Sequence, residues 1–176
     1  MKDTFYFLNG RSTLNVILKS LNLKENHEVL YPEFSCDVLF QYKNKKYKYM
    51  FYATNKNFTV NKNYLKKKIS INTKVIIIIN FFGLKQNTKS IYNYCKERNI
   101  YLIIDDCHSF YNPKLKLNNH CDFKFFSPSK LFPDVDFGGI LKIYNKNFKL
   151  KKIKHCNSQY SKNILKNFIK SSIFFK

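Results

Sequence analysis

The most constraining feature of this sequence is an uninterrupted apolar run near its middle. Residues 74–80 read Lys-Val-Ile-Ile-Ile-Ile-Asn, with no polar residue between the lysine and the asparagine. A strand with one face in water alternates apolar and polar side chains, whereas a strand buried on both faces is continuously apolar. The run therefore predicts a central strand of a sheet that helices cover on both sides.

Shorter strands and helices alternate on either side of this run. Strands are predicted at 29–31, 47–52, 101–104, 123–126 and 140–143. A helix is predicted over 14–21, after a turn at 10–12, and further helices at 37–42, 60–69, 90–98 and 157–169. Strands that alternate with helices of this length predict an α/β fold with a mostly parallel sheet.

Composition restricts the class of protein further. The chain has 176 residues, 44% of them hydrophobic, and only 4 Gly and 4 Pro, which excludes a disordered or collagen-like chain. Its net charge of +21 comes almost entirely from lysine, since Arg11 and Arg98 are its arginines. Lys, Asn, Ile, Phe and Tyr are encoded by A/T-rich codons, so we attribute the charge to a biased genome. A basic nucleic-acid-binding protein, whose affinity would fall steeply with salt, ranks below the interpretations given next.

The cysteines and the first residues of the chain indicate the cellular compartment of the protein. The five cysteines form no Cys-x-x-Cys pair, so we expect no metal site and no disulfide framework. The first eight residues lack a secretory leader, and the longest apolar run, 75–79, is too short to cross a bilayer. We therefore expect reduced thiols in a cytoplasmic protein without a membrane partner. The cysteines are Cys36, Cys95, Cys107, Cys121 and Cys156.

Polar residues follow two of the predicted strands. Asp105 and His108 follow one, and Ser127 and Lys130 follow the other. The carboxyl ends of parallel strands bind ligands, so we expect these four side chains to lie together at one sheet edge. A carboxylate at the end of a buried strand requires a partner, such as a protonated pyridinium nitrogen of a cofactor. A helix cap or an ordinary salt bridge is the alternative for Asp105.

Three further stretches could contact a ligand. The segment 9–14, Asn-Gly-Arg-Ser-Thr-Leu, opens a helix, and N–H groups at a helix N-terminus bind anions such as phosphate. The alternative is a simple helix cap by Ser12 or Thr13. Lys130 lies between apolar residues, where a lysine loses its proton more readily and can attack a carbonyl, unless it is simply solvated. The pair Gly138–Gly139 permits a tight turn beside a ligand.

Taken in order, these segments resemble the DegT/StrS family of sugar aminotransferases, which are fold-type-I enzymes that use pyridoxal phosphate. The resemblance spans residues 9–144 and implies a three-layer sandwich around a mostly parallel sheet. It rests on Asn9-Gly-Arg-Ser-Thr-Leu14, His27-Glu-Val-Leu-Tyr-Pro-Glu-Phe-Ser-Cys36, Asn80-Phe-Phe-Gly83, Asp105-Asp-Cys-His-Ser109, and Phe125-Phe-Ser-Pro-Ser-Lys130 followed by Gly138-Gly139.

The resemblance also implies roles for single residues. Lys130 would bond to the cofactor aldehyde and carry the proton during transamination. Asp105 would pair with the pyridinium nitrogen, and His108 would hydrogen-bond the phenolic oxygen. Ser129 stands where the nearest family pattern has Arg, so a positive contact is lost. The remaining implied contacts are the phosphate turn at Gly10, Arg11 and Ser12 with Ser127, Ser109 near the ring face, and Cys36 where many members place an aromatic over the ring.

As an expectation, the resemblance gives an amino transfer from glutamate to a nucleotide-linked keto sugar, in a homodimer. Residues 1–156 would form the cofactor-binding large domain, and 157–176 would begin a C-terminal region whose small domain is missing. Two alternatives stay open. One is a non-catalytic relic or binding module of the same fold. The other is a hydrolase using Cys107 and His108, which is disfavoured because neighbouring residues at a strand end point in different directions.

Overall fold

The computed structural model describes residues 4–36, 39, 46–109, 120–132 and 138–150. The strands are β1 (Thr4–Phe7), β2 (Glu28–Pro32), β3 (Lys48–Tyr52), β4 (Thr73–Ile79), β5 (Tyr101–Asp105), β6 (Phe123–Phe126) and β7 (Gly139–Ile143), and the helices are α1 (Gly10–Ser20), α2 (Lys62–Lys68) and α3 (Lys89–Glu97). Short 3₁₀ turns at Phe81–Gly83 and Pro128–Lys130 follow β4 and β6.

The strands form one sheet in the order β1-β7-β6-β5-β4-β2-β3. All pairs from β3 through β6 are parallel, whereas β7 runs antiparallel to both β6 and β1. In the register, Ile79 of β4 lies opposite Asp105 of β5, which lies opposite Phe125 of β6. The mostly parallel α/β sheet predicted from the sequence is confirmed, and the carboxyl ends of β4, β5 and β6 meet at one edge.

The predicted central strand is β4, and both of its faces are buried. Ile77 and Ile79 belong to a core that α1 covers through residues such as Ile17. Ile76 and Ile78 belong to a second core, on the other face, that also contains side chains of α2 and α3. Because successive side chains of a strand point to opposite faces, one apolar run joins the two cores into a three-layer sandwich.

Some local expectations are wrong. Helix α1 begins at Gly10, so residues 10–12 are its first turn and not a turn before it, and its N-cap is Asn9 in place of Ser12 or Thr13. Strand β1 was not predicted, because four residues carry little pattern and its pairing comes from β7. The predicted helix at 157–169, and that at 37–42 apart from Leu39, lie outside the described residues.

The described ranges were compared with the requirements for a membrane span, a disulfide and a metal site. No helix there is long and apolar enough to cross a bilayer. Cys36, Cys95, Cys107 and Cys121 are free thiols, and all but Cys36 are buried. The same residues contain no group of three His, Cys, Asp or Glu side chains arranged to hold a metal ion.

Candidate functional site

A cavity of about 370 Å³ opens at the carboxyl edge of the sheet, where β4, β5 and β6 end. This size lies within the range of small-molecule sites, about 300–1,000 Å³. Ser12 and Ser109 are the predicted site residues that do not line it. The predicted residues that do line it are Gly10, Arg11, Cys36, Asp105, His108, Ser127 and Lys130.

The start of α1 forms one wall of the cavity. Asn9 caps the helix by accepting a hydrogen bond from the Ser12 N–H at 2.8 Å, and Ser12 Oγ accepts from the Asn9 N–H at 3.0 Å. Ser12 therefore closes the helix terminus and does not line the cavity. The next positions, Gly10 and Arg11, bring the positive end of the helix to the cavity wall.

Gly10 is required by a close approach between α1 and the turn after β5. A Cβ atom at this position would lie 2.8 Å from Cys107 Sγ and 3.3 Å from Ser127 Cβ. Ser127 directly follows β6, and its Oγ lies 3.3 Å from Ser129 Oγ. The helix terminus and these two hydroxyls thus come from different parts of the chain and meet at the cavity.

Asp105 is the last residue of β5, and 6% of it is exposed. Its Oδ1 accepts a hydrogen bond from the Cys107 N–H at 2.9 Å. Burial raises the pKa of the Asp105 carboxyl, and the hydrogen bonds from Cys107 and the charges of Lys130 and His108 offset this only in part. A carboxylate in this position would gain from a cationic group placed in the cavity.

His108 and Lys130 form a pair of nitrogen groups beside Asp105. The Lys130 Nζ lies 3.3 Å from His108 Nε2. Burial, followed by the charge of Lys130, lowers the pKa of His108, so its imidazole is neutral near pH 7. Lys130 itself is exposed, and not enclosed by apolar residues as the sequence suggested, because the 3₁₀ turn carries it past the end of β6.

Ser109 lies on the other side of this segment. Its hydroxyl donates a hydrogen bond of 2.6 Å to Asp106 Oδ1, and the side chain does not line the cavity.

Cys36 lines the cavity but is exposed. The thiol of Cys107 also lines it, and burial, with the neighbouring Asp105, raises the pKa of that thiol well above its usual value. Because the thiolate is the nucleophilic form, this argues against a hydrolase built on Cys107.

Several residues of the cavity wall were not predicted from the sequence. Ile79, the last residue of β4, and Phe125, the last but one of β6, belong to the core on the α1 side, so their position in the alternation could have identified them. Asn80, Asp106 and Lys124 do not line the cavity, and the contacts of Asn80 and Lys124 with Asp106 form only in the folded chain. The lining residues that were not predicted are Asn9, Leu39, Ile79, Phe81, Cys107, Phe125 and Ser129.

Comparison with solved structures identifies the fold as that of aminotransferases. The aminotransferase from Psychrobacter cryohalolentis is similar with a TM-score of 0.70 and 16% identity, over 80% of this chain and 37% of that one. NtdA from Bacillus subtilis, solved with bound PMP, gives 0.71 and 18% identity, over 81% and 33%. Helicobacter pylori PseC, an aminotransferase involved in pseudoaminic acid biosynthesis, gives 0.70 and 17% identity, over 82% and 40%.

The family follows from the sequence model that matches residues 4–124, from β1 into β6. The chain belongs to the DegT/DnrJ/EryC1/StrS aminotransferase family. It spans well under half the length of the three solved structures named above. No curated protein is similar enough in sequence to count as a match.

Proposed function

We propose that the cavity at the carboxyl edge of the sheet binds pyridoxal phosphate and that the chain takes part in an amino transfer. The observation that carries this proposal is the grouping of Lys130, His108 and Asp105 around one cavity that a helix N-terminus also lines. Family membership supports it. NtdA, one of the similar structures, was solved with PMP, the amine form of this cofactor.

The residues present fit the three parts of the cofactor. The start of α1 at Gly10 and Arg11, together with Ser127, offers N–H and hydroxyl donors to a phosphate. Asp105 offers a buried carboxylate to a protonated ring nitrogen, and burial has already raised its pKa. Lys130 offers an exposed primary amine to an aldehyde. A cation beside Asp105 would remove the electrostatic cost of its burial.

Each side chain would then have a distinct task. When bound, the cofactor supplies an electron-withdrawing ring that stabilises negative charge on the carbon bearing the amino group. Asp105 would keep the ring nitrogen protonated, and neutral His108 would hydrogen-bond the phenolic oxygen. Lys130, as a free amine, would move a proton between the substrate carbon that bears the amino group and the former aldehyde carbon of the cofactor.

We propose glutamate as the amino donor and a nucleotide-linked keto sugar as the acceptor. We also propose a homodimer as the working form, with residues 1–156 as the cofactor-binding domain. The pseudoaminic acid enzyme PseC, which shares the fold, supports a sugar as the class of acceptor. The whole activity remains a proposal, because the chain spans only part of each of the similar structures.

The binding part of the proposal is tested by visible absorption and covalent fixation. The purified protein, mixed with pyridoxal phosphate, should show an absorption band that borohydride removes, and mass spectrometry of the peptides should place the fixed label on Lys130. The Lys130→Ala variant should lose the reducible band. The Lys89→Ala variant, which changes an exposed lysine at the start of α3, should keep it. A label spread over several lysines, or an unchanged Lys130→Ala band, would reject the role of Lys130.

Turnover is tested on the cofactor-loaded protein. Added glutamate should change the absorbance of the bound cofactor and release one equivalent of 2-oxoglutarate. A loaded protein that releases no 2-oxoglutarate and responds to no other amino donor would reject the amino transfer. Cofactor binding without transfer is the result expected of a binding module of the same fold.

A further inference from the structure

The residue after Asp105 makes a different set of contacts on the opposite side of the sheet. Asp106 is fully buried. Its Oδ1 accepts hydrogen bonds from Asn80 Nδ2 at 2.7 Å and from Ser109 Oγ at 2.6 Å. Its Oδ2 lies 3.8 Å from the ammonium of Lys124, a residue that is itself 4% exposed. One carboxylate therefore gathers an amide, a hydroxyl and an ammonium.

The two hydrogen-bond donors belong to the two segments that hold His108. Ser109 is the neighbour of His108 in the turn after β5, and its N–H also donates to the Asp106 carbonyl at 3.0 Å. Asn80 precedes the 3₁₀ turn Phe81–Gly83. The Phe82 ring of that turn stacks on the imidazole of His108, with ring centroids 6.1 Å apart. Asp106 thus ties the segment that carries His108 to the segment that packs on it.

The backbone of Phe82 also selects which nitrogen of His108 faces the cavity. The Phe82 N–H donates to His108 Nδ1 at 3.5 Å, while Nε2 lies near Lys130. Nδ1 therefore faces the backbone of the 3₁₀ turn, and Nε2 faces Lys130 at the cavity. Phe82 holds φ at 51°, a left-handed value that a bulky residue adopts only when its surroundings impose it. Asn80, whose side chain donates a hydrogen bond to Asp106, lies immediately before that constrained turn.

We propose that Asp106 is a positioning residue, which fixes the orientation of His108 through Ser109 and through the Asn80–Gly83 turn. Lys124 supplies the buried positive charge that balances the carboxylate. The relevance of this contact to catalysis rests on the proposed function of the cavity. The orientation of His108, in contrast, is a property of the protein without cofactor and is tested without it.

The test measures the imidazole of His108 directly. The chain has four histidines, and ¹⁵N-histidine labelling with a His108→Gln variant assigns the His108 ring signals by NMR. The wild type should show one set of His108 ring signals, as a single orientation requires. Ser109→Ala, which removes one donor to Asp106, should shift or broaden these signals, and Ser109→Thr, which keeps the hydroxyl, should restore them. Asp106→Asn should act in the same direction as Ser109→Ala.

Asp122→Asn is the matched control. Asp122 is also fully buried, accepts from the Leu102 N–H at 2.9 Å and contacts Lys96 at 3.3 Å, but it lies at the opposite edge of the sheet. This variant should lower the melting temperature and leave the His108 signals unchanged. Equal changes in Asp122→Asn and Ser109→Ala, or unchanged His108 signals in Ser109→Ala, would overturn the proposal. Since Ser109→Ala removes no charge, the test holds even if Asp106→Asn fails to fold.

A second readout links the orientation of His108 to ligand binding. The dissociation constant for pyridoxal phosphate should rise about tenfold in Ser109→Ala, the scale seen when a residue that orients a binding side chain is lost. It should stay at the wild-type value in Asp122→Asn. If no variant binds pyridoxal phosphate, including the wild type, the proposed function fails while the NMR result still decides the role of Asp106. An unchanged dissociation constant in Ser109→Ala would overturn the link to binding.

Discussion

The two faces of the sheet differ most where β5 ends, at the adjacent carboxylates of Asp105 and Asp106. Both are buried. Asp106, on the side of α2 and α3, is balanced inside the protein by Lys124 and by two side-chain donors. Asp105, on the side of α1, faces a cavity, and its neighbours offset only part of the effect of burial on its pKa. On one face, groups of the protein itself compensate the buried carboxylate. On the other face, part of the cost of burying Asp105 is left, and a cationic ligand group would compensate it.

The largest loss of stability is expected from removing the ammonium that compensates Asp106. Lys124→Met leaves Asp106 as a buried charge without its ammonium partner, and the loss of one member of a buried ion pair costs about 3–5 kcal/mol. The free energy of unfolding in urea measures this loss. Lys142→Met is the control, because Lys142 lies opposite Lys124 in β7 and burial lowers the pKa of its ammonium. This control should be neutral or stabilising, and a similar loss in both variants would contradict the comparison.

On the cavity face, the methyl group that Gly10→Ala adds should push α1 away from the turn after β5. Gly10→Ala places a Cβ against Cys107 Sγ, and overpacking of this kind costs about 1–3 kcal/mol. Affinity for pyridoxal phosphate should fall at the same time, because the helix terminus moves. Denaturation and an absorbance titration measure the two effects. The double variant Gly10→Ala/Cys107→Ala removes the blocking sulfur and should recover much of both, and failure to recover either would show that the contact is not the cause.

Asp105→Asn should stabilise the protein without cofactor, by about 0.5–2 kcal/mol, as is common when a functional residue under strain is replaced. The folded-state pKa of Asp105 is raised above its ordinary 3.8, so folding favours the protonated carboxyl. Its stabilising contribution is complete below that ordinary value and is lost as the pH rises through the folded-state pKa.

Asn resembles the protonated form of Asp105, so the difference from wild type should be small near pH 4 and largest at neutral pH. Thermal unfolding between pH 4 and 7 measures it. A difference that shrinks as the pH rises would show that Asp105 is not the group responsible. The same variant should weaken pyridoxal phosphate binding, which separates stability from function at this position.

The smallest loss of stability is expected from removing the N-cap side chain of α1 or of α2. Asn9 and Asn61 each accept a hydrogen bond from the N–H three residues on, at the starts of α1 and α2. Asn9→Ala and Asn61→Ala should each cost about 1 kcal/mol of stability. Only Asn9→Ala should also weaken the binding of pyridoxal phosphate, since α1 alone of the two starts at the cavity. Equal affinities in both variants would exclude the α1 terminus from the phosphate site.

The fold was predictable because its evidence is local. The apolar run of β4 indicates burial on both faces, and the turns and helices around it have their own periodicity. β1 could not be predicted, since four residues acquire their structure by pairing with β7, far away in the chain. The start of α1 was misplaced because a capping Asn followed by Gly and Ser is compatible with either a turn or a first helical turn.

The site was predictable only where a residue follows a strand. Asp105, His108, Ser127 and Lys130 meet at one cavity, as the parallel arrangement of the strands requires. Ser109 and Ser12 carry side chains that turn to Asp106 and to Asn9, and no linear pattern distinguishes these contacts from cavity contacts. The exposure of Lys130 also depended on where the turn after β6 leads the chain.

The sequence by itself determined the layered fold, the family and the sheet edge at which chemistry is concentrated, because apolar periodicity and strand ends are properties of neighbouring residues. The tertiary structure decided how the two buried aspartates differ. Asn80, Ser109 and Lys124 come from three separate segments, and they surround Asp106 only after β4, β5 and β6 have paired in register. Alternation across the strand places Asp105 on the other face, where it lines the cavity and its neighbours offset only part of the effect of burial.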